Sequence, residues 1–305
     1  MKHLLSALFL LTSLHLQAQQ QWITVDGTKI WTNTIGMENR QHGQPVIVFE
    51  SGYGTPMGHW DTILDGVAEF APLMTYDRPG IGRSEPDQEL PTPKNVSDKL
   101  MHLLQQLDIE PPYVLVGHSL GGVYVRGFAV HHPNLLAGLV IIDPADFTET
   151  LQNRRDYYAV LGWNDAQIDS FLAQLQQRHA DRIKDVPPSL QEESQVLRDL
   201  RESGFKEITE TPLPNIPVHI ITGGRFDLPE KFRSKKFDEE LLFRSKMKHR
   251  VARWTDVIQS VDKGMLFYSA DAGHFVHRDA PELVLSSIKI VLNDYDKMRL
   301  KAEKE

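Results

Sequence analysis

Gly117-His118-Ser119-Leu120-Gly121 has the residue types and spacing of a nucleophile elbow. It follows directly on the apolar run Tyr113 to Val116. A serine on a sharp strand-to-helix turn sits in strained backbone space, and residues two before and two after it crowd the turn. Only glycine fits those places easily. A serine hydroxyl is a poor nucleophile at neutral pH. It needs a base to take its proton, and the base needs an acid to orient it. The chain offers 13 histidines, so position must select among them. His274 follows the apolar run Met265 to Ser269 and precedes the last helical pattern. That puts it at a strand end, on the edge that carries Ser119. His277 lies nearer the helix start and reads as a supporting or surface residue. A His274/His277 metal pair lacks a third ligand, so no metal is expected.

The acid must also stand at a strand end. Asp227, in Gly223-Gly224-Arg225-Phe226-Asp227 after the run Val218 to Thr222, is the first choice. Asp143, after Leu139 to Ile142, competes, because its strand neighbours the nucleophile's. An oxyanion hole needs two backbone N–H groups aimed at developing negative charge. Leu120 supplies one, as the residue after the nucleophile. The loop Ser51-Gly52-Tyr53-Gly54 supplies the other, with Tyr53 as its donor.

These residues need a sheet to hold them. Trp22 to Ile35 alternates around Asp26-Gly27, a two-residue hairpin turn. Val46 to Phe49, Leu73 to Tyr76, Tyr113 to Val116, Leu139 to Ile142, Val218 to Thr222 and Met265 to Ser269 are short apolar runs of the kind that parallel strands require. Helical spacing lies between them: Val96, Leu100, Leu103, Leu104 and Leu107; then Val123, Phe128 and Ala129; finally Pro281 to Leu292. The alternation predicts an α/β fold with a mostly parallel sheet of eight strands, flanked by helices.

Residues 144–214 break the rhythm. They carry helix-start signals, Asn164 before Asp165 and a capping box from Ser189 to Glu192. Tyr157, Tyr158, Trp163 and Phe171 supply apolar surface. A helical insertion there sits over the C-terminal edge of the sheet, where open α/β sheets keep their active sites. It reads as a cap, with Trp163 and Phe171 as substrate-binding candidates. The bland alternative is that these aromatics only hold the cap helices together. Lys231 to Arg253 reads as a second helical stretch with a solvated basic face.

Composition narrows the classes. The chain has 305 residues, 41% hydrophobic and 24% charged, with a formal net charge of −8. An acidic balance argues against nucleic acid as a partner. The absence of cysteine rules out disulfides, thiolate nucleophiles and cysteine-ligated zinc. Lys2 and His3 precede an apolar stretch from Leu4 to Leu14, and Leu16-Gln17-Ala18 follows. This predicts a secretory signal over residues 1–18, cleaved after Ala18. The stretch is too short to span a bilayer. The mature protein is therefore expected to be exported, periplasmic or extracellular, without stable membrane insertion.

Four segments carry a family resemblance. They are Tyr76-Asp77-Arg78-Pro79-Gly80-Ile81-Gly82-Arg83-Ser84, Gly117 to Gly122, Gly224 to Asp227, and Ala272-Gly273-His274-Phe275. The chain resembles the α/β-hydrolase superfamily, in its serine branch with a helical cap, over about residues 22 to 295. The order Ser119, Asp227, His274 is that family's order. The resemblance implies a core of residues 19–143 and 215–305, a cap of 144–214, and no cofactor. One departure matters. The usual His-Gly of the oxyanion loop is Ser51-Gly52 here, so a hydrogen bond normally made by that histidine is lost or replaced. Ser119 counts against epoxide opening and halide removal, which use an aspartate nucleophile. Gly-His-Ser-Leu-Gly resembles carboxylesterases, lipases and carbon–carbon bond hydrolases. The leading expectation is hydrolysis of a small or medium lipophilic carboxylic ester through an acyl-enzyme. Amide, peptide or carbon–carbon hydrolysis, or a non-catalytic binder of hydrophobic ligands, are the alternatives.

Overall fold

The computed structural model describes residues 18–304. The signal segment thus lies outside the described residues except for Ala18, where the first strand begins. The strands are β1 (Ala18–Val25), β2 (Thr28–Ile35), β3 (Val46–Glu50), β4 (Leu73–Tyr76), β5 (Tyr113–His118), β6 (Leu136–Ile142), β7 (Val218–Gly223) and β8 (Gly264–Ser269). They form one eight-stranded sheet in the order β1-β2-β4-β3-β5-β6-β7-β8. The β1–β2 and β2–β4 pairs are antiparallel and the rest are parallel. The hairpin turns where expected. Val25 pairs with Thr28, and both Asp26 (φ 48°) and Gly27 (φ 86°) are left-handed, as a type I′ turn requires.

Ten helices are described: α1 (Asp61–Ala68), α2 (Pro93–Gln106), α3 (Leu120–His131), α4 (Leu151–Asp156), α5 (Asp165–Ile183), α6 (Pro188–Glu202), α7 (Lys206–Thr209), α8 (Glu239–Gln259), α9 (Val276–Asp279) and α10 (Pro281–Ala302). Side-chain alternation splits the core into two layers. On β3, Val46 and Val48 join α2, α3 and Trp254 of α8 on one face. Ile47 and Phe49 join α1 and α10 on the other. Each strand residue thus packs against helix on its own side, and each full burial is worth about 1.5–3 kcal/mol.

Helices α4 to α7 lie between β6 and β7. Asn164 caps α5, its side chain accepting from the Gln167 N–H while Gln167 returns the bond. The Ser189 capping box does not form. Proline occupies the start of α6, and the Ser189 hydroxyl donates to the Gly80 carbonyl of the core at 2.8 Å. A tertiary bond has taken the side chain that the local pattern assigned to the helix end.

Candidate active site

Ser119 stands between β5 and α3 with φ 55° and ψ −116°, a conformation that L-residues rarely hold. The flanking glycines explain how the chain tolerates it. A Cβ on Gly117 would stand 2.5 Å from the Gly121 carbonyl oxygen, and one on Gly121 would stand 2.1 Å from that of Glu50. Backbone bonds fix the turn from the next strand. Ser119 N–H donates to Ile142 at 3.0 Å, and Ala145 N–H donates to the Ser119 carbonyl at 3.0 Å. The end of β6 is therefore stitched to the backbone of Ser119.

His274 lies on the loop between β8 and α9, with its ring exposed on the same edge. Its carbonyl accepts from Nε2 of His118, the residue before the serine, at 2.9 Å. The two rings lie 4.6 Å apart. No hydrogen bond joins Ser119 Oγ to His274 among the described residues.

The carboxylate bonded to His274 is that of Asp143, not that of Asp227, the first choice for the acid. Asp143 Oδ2 lies 2.5 Å from His274 Nδ1, and Thr222 Oγ1 donates to its other oxygen at 2.6 Å. Burial alone would raise the pKa of this carboxyl. The His274 bond and the Arg250 guanidinium outweigh burial and hold it below the usual range. Asp227 is exposed and paired with Arg225 Nε at 2.5 Å. It is close, but against the wrong atoms: a methyl group on Gly273 would stand 2.1 Å from its Oδ2. Asp227 faces the backbone before the histidine, and Arg225 holds it there.

The oxyanion loop is held by side chains that the sequence did not single out for a role. Arg78 is buried and donates to the Ser51 carbonyl at 2.5 Å and to the Gly52 carbonyl at 2.7 Å. It also pairs with Glu50 at 2.6 Å and with Glu193 of α6 at 2.6 Å. Burial would lower the Arg78 pKa, but the two carboxylates reverse that and keep it charged. Glu193 then receives the Gly54 N–H at 2.7 Å, and the Tyr53 hydroxyl donates to the Leu190 carbonyl at 3.0 Å. The loop is thus tied to α6 directly by Tyr53 and Gly54, and through Arg78 by Ser51 and Gly52. At the position of the usual histidine, the Ser51 hydroxyl accepts from Trp60 Nε1 at 3.0 Å. The loop also reaches the elbow: a Cβ at Gly52 would lie 3.3 Å from Ser119 Cβ. Leu120 opens α3, where backbone N–H groups have no partner within the helix.

The profile of the Alpha/beta hydrolase family matches residues 47–286. The chain belongs to that family and is a hydrolase. It is 25% identical over 266 residues to the uncharacterized protein YqjL of Bacillus subtilis, covering 86% of this chain and 87% of the relative. It is 28% identical over 139 residues to the human (lyso)-N-acylphosphatidylethanolamine lipase, covering 44% of this chain but only 40% of that protein. Among solved structures, the epoxide hydrolase CorEH superposes with a TM-score of 0.59 at 16% identity, over 91% of this chain and 99% of its own. The enol-lactonase of Burkholderia xenovorans LB400 gives 0.53 at 17% identity, over 90% and 100%. At these identities the two structures share the fold.

Beneath the hydrolase's elbow, His59, His118 and His277 pack with ring nitrogens within 4.8 Å of one another, all buried. Burial and the neighbouring cationic groups pull their pKa values down to about 4, 3 and 2. They are therefore neutral at physiological pH. Arg278 donates to His59 Nδ1, which puts the His59 proton on Nε2, facing its neighbours. A cation bound among the three would have to displace that proton. His277 is fully buried, so the surface reading of it is corrected.

The cap departs from expectation in two ways. Trp163 and Phe171 line a cavity of about 860 Å³ that is separate from the one bordered by Tyr53. They pack on each other at 5.0 Å and on Phe237 at 5.3 Å each, with Tyr158 stacked on Trp163. That cluster pins α5 to the segment before α8. The cavity that does reach Tyr53, about 860 Å³, is walled by Leu151, Leu172, Leu175 and Leu197. Nor is the basic face of α8 simply solvated. Arg253 pairs with Asp146 and donates to Tyr157 Oη at 2.7 Å, and Arg250 lies 3.8 Å from Asp146. The spacing of α8 gave no sign that these cations turn inward, because their partners lie about 100 residues away.

Proposed function

We propose that the chain is a serine hydrolase of small or medium lipophilic carboxylic esters. The observation that carries this reading is the strained serine at the elbow on the same sheet edge as a His274–Asp143 pair. In the proposed cycle His274 Nε2 takes the Ser119 proton as Oγ attacks the ester carbonyl. Asp143 holds Nδ1–H and stabilises the imidazolium. The N–H groups of Leu120 and Tyr53 receive the oxyanion. Collapse expels the alcohol, which takes the proton from His274 and leaves an acyl-Ser119. Water, deprotonated by His274, then attacks that ester; the acyl C–O bond breaks as His274 returns the proton to Ser119 Oγ, and the acid leaves and ionises in solvent. The leucine-walled cavity beside Tyr53 suits a lipophilic acyl or alcohol group. No helix among the described residues is long and apolar enough to cross a membrane. We propose further that the protein is exported, on the strength of its N-terminal basic-apolar-small pattern.

The test is a p-nitrophenyl ester series on the protein without residues 1–18, with fluorophosphonate labelling alongside. Ser119→Ala is expected to lose both labelling and turnover, the latter by on the order of 10⁶ in kcat. Turnover within tenfold of wild type would put the nucleophile elsewhere. Absence of labelling and turnover in the wild type would leave the binder reading. Preferred cleavage of aminoacyl amides would move the substrate class.

A further inference from the structure

A second cavity, about 230 Å³, opens beside the leucine-walled one, and the two share Arg154, Leu175 and Arg201. Its charged walls are Arg154, Arg201, Lys246 and Arg250 against Asp146 and Glu149. The acids are already committed. Asp146 pairs with Arg253 and Arg250, and Glu149 lies 3.7 Å from Arg154. Among the described residues, Arg201 and Lys246 have no ion-pair partner; the Lys246 ammonium instead faces the Tyr158 ring at 5.5 Å. They come from different helices, Arg201 from α6 and Lys246 from α8. Burial draws both pKa values down. Glu149 acts on both from a distance, but it and Asp146 are paired with other arginines, so the cavity keeps an excess of positive charge that an anion seated between Arg201 and Lys246 would offset.

The cavity also has a fixed relation to the reaction site. Asp146 in its wall follows Ala145, whose N–H holds the Ser119 carbonyl. Arg250 in its wall lies 4.0 Å from Asp143, the partner of His274. Tyr53, Leu172, Leu197 and Arg201 all border the larger cavity, with Arg155, Arg198, Asp169 and Glu202 also in its wall. Leucine walls beside a cavity with an excess of cations match an amphiphile with an anionic end. We infer that the hydrolase selects esters that carry a carboxylate or phosphate group at the far end of an apolar chain, with Arg201 and Lys246 as the binding cations. This rests on the serine-esterase reading above.

The experiment compares three p-nitrophenyl esters of equal acyl length: hexanoate, the monoester of adipate, and 6-phosphonooxyhexanoate. The expected result is kcat/KM at least tenfold higher for one or both anionic esters than for hexanoate, with the ratio falling as salt is added. Which anion wins separates a carboxylate from a phosphate source. Arg201→Gln and Lys246→Gln should each reduce that ratio at least fivefold, and Arg201→Lys should retain more of it than Arg201→Gln. Fluorophosphonate labelling measures the competent fraction of each variant. If the variants do not label, inhibition of the wild type decides: hexyl phosphate or hexanoate must bind more tightly than hexanol. A ratio at or below one, a ratio untouched in labelled variants, or anions binding no better than hexanol would overturn the inference. Failure of every ester together with failure of labelling would instead overturn the esterase reading.

Discussion

The sheet edge and the cap are built by different means. At the edge, backbone does the positioning. Ser119 is forced into place by a tight turn, its two glycines and bonds to β6. In the cap, side chains do it. Glu193 reaches back to Arg78 across 115 residues, Arg253 to Asp146 across 107, and Ser189 to Gly80 across 109. Backbone constraints leave a local trace in sequence, as small residues at fixed spacing. Long-range ion pairs leave none. The contact between edge and cap is therefore where reading and structure diverge.

The acid is the clearest instance, and the substitution with the largest expected effect tests it. Asp143→Asn is expected to lower kcat by about 10⁴, because an asparagine favours the wrong His274 tautomer. Asp227→Asn breaks only an exposed pair with Arg225 and is expected to change kcat less than about tenfold, in keeping with the small worth of such pairs. Steady-state kinetics on both, at matched labelling, rank them. The reverse order would return the acid to the end of β7.

Eight strands, their order of appearance, the hairpin, the strand-to-helix turn at Ser119 and the place of His274 at the end of β8 were all legible, because apolar runs and glycines report strands and turns directly. The acid was not. Asp143 and Asp227 both end strands beside the site, and only the third dimension shows that Arg225 turns one of them away. The Arg78–Glu193 pair was also hidden: Arg78 stood in a recognised segment, but its partner is one glutamate among many on a polar helix.

The buried histidines of the core set the next expectation. His118 and His277 are neutral when folded, with pKa values near 3 and 2, against 6.5 for a free imidazole. Below about pH 6.5 the unfolded chain therefore binds protons that the folded one refuses. Stability is fully present above that pH and is lost as pH falls, by up to about 1.4 kcal/mol per unit for each group. Asp143, with its lowered pKa, adds loss in the same direction at lower pH, while Glu50, raised by burial, works against it. Thermal melts from pH 7.5 to 4.5 should show a falling Tm, with a shallower slope in His277→Asn. A flat Tm would mean that these imidazoles take up protons in the folded state.

Glu193→Gln probes the seam between the two regions. It removes one of the two charges on Arg78 and weakens the hold on Gly54, while the acid–base pair is untouched. The expected loss is roughly 10–100-fold in kcat with KM nearly constant, smaller than the loss on deleting an oxyanion donor outright. Fluorophosphonate reactivity should fall in parallel, since it uses the same hole. Loss confined to KM would mean that Glu193 serves the substrate pocket rather than the loop.

The smallest effect distinguishes two kinds of cap residue. Trp163 and Phe171 support each other and Phe237, so their truncation loosens α5 as a unit. Leu172, the next residue along from Phe171, faces the cavity that Tyr53 borders. Truncating it enlarges the space for an acyl chain, and a change of one or two methylenes is worth about 1–3 kcal/mol in selectivity. Leu172→Ala is therefore expected to shift the preferred ester toward longer chains by a few-fold in relative kcat/KM. Trp163→Ala and Phe171→Ala should instead lower all esters and the phosphonate together, with a lower Tm. A change of ranking in Trp163→Ala, with Tm held, would restore these aromatics to the substrate wall. It would also show that the cap closes further over the sheet edge in the working enzyme than its packing at rest indicates.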